Sequence, residues 1–73
     1  MKYEIINTYI GSEQTINDDV YKVVISIYLR TTDGVIESFF KEIEVESQNS
    51  QTGYEVDEQR ETAISDFLTN LNL

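Results

Sequence analysis

Val20-Tyr21-Lys22-Val23-Val24-Ile25-Ser26-Ile27-Tyr28-Leu29-Arg30-Thr31 is the stretch on which the fold turns. Tyr21, Val23, Ile25, Ile27 and Leu29 recur at every second position, with Lys22, Ser26 and Arg30 between them. Side chains alternate across a strand, so this period puts an apolar row on one face and a polar row on the other. A strand of this kind needs partners, and the flanking sequence supplies them.

Downstream, Val35 to about Glu46 is a second β-type segment, separated from the first by Thr32-Asp33-Gly34. That separation is a hairpin signal. Two registers compete. With a two-residue Asp33-Gly34 turn, Ile25, Val23 and Tyr21 oppose Glu42, Glu44 and Glu46. With a three-residue loop, Thr31 pairs with Val35, and Ile27, Val23 and Tyr21 oppose Phe39, Ile43 and Val45. Lys22 then opposes Glu44. Register follows the buried face, so the three-residue loop is expected, with Gly34 as its left-handed residue. Lys41 would oppose Ile25 on the apolar face, a place for an edge or snorkelling side chain.

Upstream, Lys2 to Ile10 is rich in Ile, Tyr and Thr, which suit a pleated surface. Its alternation is broken: Tyr3, Ile5 and Tyr9 share one parity, Ile6 and Ile10 the other. Gly11 to Asp19 is polar and predicts a loop. Ser47 to Tyr54 predicts another. From Asp57 the spacing becomes helical: Arg60, Ala63, Ile64, Phe67, Leu68 and Leu71 form an amphipathic stripe. Asp57 is the expected N-cap, with Glu58 and Glu61 in the favoured first turn. The expected fold is α+β, a three-stranded antiparallel meander with one C-terminal helix on one face, βββα, in a single domain over residues 1–73. The expected core is Tyr21, Val23, Ile25, Ile27, Phe39, Ile43, Ala63, Ile64, Phe67, Leu68 and Leu71.

The chain has 73 residues with neither cysteine nor histidine, so the usual zinc sites and disulfide staples are excluded. His-based triads are excluded as well, and no Ser-x-x-Lys signature occurs. Asn17-Asp18-Asp19 lacks the spacing of a calcium loop, and the three glycines are too far apart for a phosphate loop. The chain is expected not to be an enzyme and to use no cofactor or metal. The start of the chain has no signal-peptide pattern and no stretch approaches a membrane span, so a cytoplasmic protein is expected.

Five Lys or Arg face fourteen Asp or Glu, a net charge of −9. Such a chain is repelled by nucleic acid and by anionic membranes, and a basic protein surface is its attractive partner. Glu42, Glu44 and Glu46 form a period-two row, spaced about 6.6–6.8 Å along a strand. The plain alternative is an ordinary solvated strand face. Glu55, Asp57, Glu58 and Glu61 add a second acidic group nearby in sequence, of which Asp57, Glu58 and Glu61 are expected to make contacts. On the outer sheet face, Val24, Tyr28, Ile36 and Phe40 form an apolar patch that one helix cannot cover, which points to a homodimer. In size, charge and lack of chemistry the chain resembles short acidic proteins of phages and mobile elements. Some of these block nucleases or other nucleic-acid-binding proteins by offering carboxylates in place of phosphates. That resemblance implies an inhibitor or modulator, of the anti-restriction or anti-CRISPR type, docking on a basic surface. The alternative is a self-associating structural or assembly subunit.

Overall fold

A computed structural model describes all 73 residues. Strands β1 (Tyr3–Thr15), β2 (Val20–Thr31) and β3 (Phe39–Gln48) precede helix α1 (Gly53–Leu71). The sheet is antiparallel in the order β1-β2-β3, so the α+β meander with a C-terminal helix is the observed architecture. β2 is central because only its period-two row is apolar along its whole length. Val23, Ile25, Ile27 and Leu29 are buried at 0–2% exposure, joined by Val45. Tyr3, Ile5, Tyr21, Phe39, Ile43, Ala63, Ile64, Phe67, Leu68 and Leu71 pack around them, half-buried.

The β2–β3 register differs from expectation by two residues. Leu29 pairs with Phe39, Ile25 with Ile43, Val23 with Val45 and Tyr21 with Ser47. The faces are preserved, since the shift is even. The expected register would place Leu29, which is fully buried, opposite Glu37. The observed one gives Leu29 an aromatic partner and leaves Glu37 in the connection. Lys22 accordingly pairs with Glu46, and Lys41 lies opposite Ile27, exposed on the edge strand. The connection is longer than three residues, and Thr31 organises it. Its N–H donates to Ile36 O (3.1 Å), its carbonyl accepts from Gly34 N–H (3.3 Å), and its hydroxyl oxygen accepts from Ile36 N–H (2.9 Å). Gly34 has φ 76°, so the expected left-handed turn residue is present in a different loop. The Asp33 carboxyl is held below the usual aspartate range, first by the Thr31 hydroxyl and next by the Val35 N–H.

β1 is also longer than expected. Gly11 to Thr15, anticipated as loop, continues the strand. Bulges between Ile5 and Asn7 and between Ile10 and Ser12 explain the broken alternation. Each extra residue flips the parity of the residues after it. Tyr3, Ile5, Thr8 and Ile10 therefore lie opposite inner-face residues of β2, while Asn7 and Tyr9 lie opposite Tyr28 and Ser26. At Gly11 a Cβ would stand 3.4 Å from Val24 O, an ordinary contact distance, so the bulge itself does not demand glycine. The true β1–β2 turn is short and held by the Asn17 side chain, which accepts from the Asp19 and Val20 N–H groups (2.8 and 3.0 Å).

The helix starts four residues before the expected N-cap. Thr52 is the N-cap and forms a capping box with Glu55. The Thr52 hydroxyl accepts from Glu55 N–H (3.2 Å), and the Glu55 carboxylate accepts from Thr52 N–H (3.4 Å). This box satisfies orphan amides that Asp57, now inside the helix, does not reach. The extra turn brings Val56 into the core at 8% exposure. Two amide side chains fasten α1 to the sheet. Gln59 donates to Glu46 O (2.6 Å) and accepts from the buried Ser47 hydroxyl (2.7 Å). Asn72 accepts from Tyr3 N–H (2.7 Å) and donates to Tyr3 O (3.0 Å). The helix thus crosses the sheet from the end of β3 to the start of β1.

Candidate functional site: the outer sheet face

Alternation along β3 aims Ile43, Val45 and Ser47 at α1 and leaves Glu42, Glu44 and Glu46 on the outer face, all exposed. The row is not uniform in charge. Glu44 is bridged by Lys22 at 3.4 Å, from the diagonal position on β2. Glu42 stands opposite Ser26 and has no ion-pair partner; Glu46 stands opposite Lys22.

Beside this row runs a line of exposed aromatic rings. Tyr9 and Tyr28 meet edge to face at 5.6 Å, and Tyr28 and Phe40 lie 5.7 Å apart. The three rings cross all three strands, at 56, 38 and 55% exposure. Val24 lies half-buried on the same face, opposite Glu44. Ile36 does not join them on β3; it belongs to the connection, where its backbone serves Thr31. Strand alternation alone does not place Tyr9 on this face; the bulge at Ile6 moves it there. The phase change in the apolar pattern between Ile5 and Tyr9 is the one local signal of that shift.

The second acidic group does not join the first. α1 packs on the inner face, so the sheet stands between Glu42, Glu44 and Glu46 and the helix carboxylates. Asp57 and Glu61 flank Arg60 and face Thr8, Tyr9 and Ile10 of β1. Glu58 is exposed elsewhere on the helix. The acidic residue that approaches the row is Glu55, which lines a shallow hollow with Glu46, Gln51 and Gln59.

No group of three His, Cys, Asp or Glu side chains is placed to hold a metal ion. No helix is long and apolar enough to cross a membrane. Comparison with protein families, with curated proteins and with solved structures finds no match to this chain.

Proposed function

We propose that this protein is a non-catalytic binding module that docks its outer sheet face on a basic surface of another protein. The observation that carries the reading is the placement of Glu42, Glu44 and Glu46 beside the exposed Tyr9–Tyr28–Phe40 line on one face. Arginine and lysine satisfy both features at once. Their cationic heads pair with carboxylates, and their planar or aliphatic parts cover aromatic rings. The partner class this favours is a nucleic-acid-binding protein, a nuclease among them, whose cationic groups otherwise meet phosphates. The carboxylates then stand in for phosphates, and the protein acts as an inhibitor or modulator. Glu42 and Glu46 would carry most of the interaction, since Lys22 already neutralises Glu44 in part.

The test is titration with an arginine-rich peptide and with a basic nuclease, at two salt concentrations. Wild-type binding weakens with salt, because exposed charges are screened beyond about 8–10 Å. Replacing Glu42, Glu44 and Glu46 together with Gln weakens it by about tenfold or more while the fold survives. Duplex DNA competes for the cationic probe. Binding that ignores salt and the triple substitution would overturn the reading. The second reading, a self-associating assembly subunit, is favoured by the same exposed rings; a face-to-face pair would have to bring its own glutamate rows into the contact.

A further inference from the structure

Sheet edges attract other strands, and proteins guard them with charge, proline, bulges or a cover. β3 is guarded by Lys41, Glu42, Glu44 and Glu46, and Gln59 occupies Glu46 O. β1 is not guarded by charge. Glu13 is the single charged residue between Ile5 and Asn17, in a chain of net charge −9. Ile6, Tyr9, Ile10 and Ile16 are 48–56% exposed. The bulges at Ile6 and Gly11 bend the strand. Asn72 covers only Tyr3, and Asn7 meets the Thr8 N–H with its own side chain.

A second observation lies beside this edge. Ile10, Ile25 and Ile64 floor a groove between β1 and α1, walled by Asp57, Arg60 and Glu61. Arg60 is half-buried beside the two carboxylates, with its Nε closed to solvent and without a hydrogen-bond partner. The ion pairs of the molecule are Lys22–Glu44 and Arg30–Glu4, so Arg60 is in neither.

We infer that β1 is the interface of a symmetric homodimer. The β1 strands of two copies pair antiparallel about a twofold axis. The result is a six-stranded sheet with both helices on one face. Arg60 of each copy meets Asp57 or Glu61 of the other. Antiparallel edge pairing is its own complement, as a twofold interface requires. Along the paired strands themselves it brings two strongly acidic chains together where charge is sparse, with Glu13 alone between Ile5 and Asn17. A groove holding one cation between two carboxylates is likewise complementary to itself under that rotation. About half of the main-chain groups in the regular stretches Asn7–Ile10 and Ser12–Thr15 point away from β2; less the Thr8 N–H that Asn7 occupies in each copy, they leave about six hydrogen bonds across the pair, within the usual range for an interface. The outer face stays free, so the dimer does not depend on the proposed docking function.

Sedimentation of the full chain tests the proposal. Wild type is dimeric, and amide protection along β1 rises with protein concentration. Ile10→Glu, on a half-exposed side chain, gives a monomer with unchanged circular dichroism. Phe40→Glu adds the same charge on the outer face and stays dimeric. Asp57→Asn with Glu61→Gln weakens the dimer by about tenfold. Simple relief of charge repulsion would strengthen it instead, and that outcome would overturn the pairing with Arg60. A wild-type monomer at ~1 mM, a concentration that populates even weak complexes, would sink the dimer. Dissociation by Phe40→Glu with Ile10→Glu still dimeric would move the interface to the outer face.

Discussion

Ile27 stands in the middle of β2, fully excluded from solvent, between Thr8 of β1 and Lys41 of β3. A chain of this size has little stability in reserve, so one such side chain matters. Ile27→Ala should cost about 2–5 kcal/mol, from lost burial and the cavity left behind. Urea denaturation measures it; a loss below about 1 kcal/mol would mean that the row is not the centre of the core. The burial of Val23, Ile25, Ile27 and Leu29 was legible in the sequence, because a period of two needs no knowledge of partners. The role of Thr31 was not. Its near-complete burial follows from the length of the loop it anchors, and nothing in its own neighbourhood announces that length.

The helix shows what local chemistry determines and where a conspicuous pattern misleads. Thr52-Gly53-Tyr54-Glu55 holds the capping-box signature, legible in the residues themselves. Asp57 draws the expected start of the helix away from it, because the apolar stripe is conspicuous only from Arg60 onward. Thr52→Ala should cost about 1 kcal/mol and fray the first turn. The same substitution at Asp57 should cost less, since it caps nothing. Thermal melts of the two variants decide between the two starts: a larger loss at Asp57 would restore the later one. The β1 strand is the harder case. Its bulges at Ile6 and Gly11 depend on β2 being alongside, so its faces could not be assigned from alternation alone.

At the scale of the whole molecule, the charge is badly balanced. Two ion pairs are set against a net charge of −9. Like charges on a body 45 × 18 × 17 Å repel one another, and compaction increases that repulsion. Added salt should therefore raise the melting temperature between low and physiological ionic strength, by a few degrees, corresponding to about 1 kcal/mol in a domain of this size. A melting temperature that falls over that interval would mean that the ion pairs outweigh the repulsion. The proposed docking to a cationic partner relieves the same repulsion, so partner binding should stabilise the fold as salt does.

The sequence by itself determined the three strands, their faces on β2 and β3, the helical stripe and the acidity, because each is a local period or a count. Tertiary structure decided which acids stand together. Glu42, Glu44 and Glu46 lie on the side of the sheet opposite Asp57 and Glu61, because α1 chose the face that buries Ile43 and Val45. It decided that Tyr9 joins Tyr28 and Phe40, through a bulge that exists only when β1 pairs with β2. It also decided the register of the hairpin. Two even registers keep the same faces, and only the need to place Phe39 rather than Glu37 against the buried Leu29 separates them.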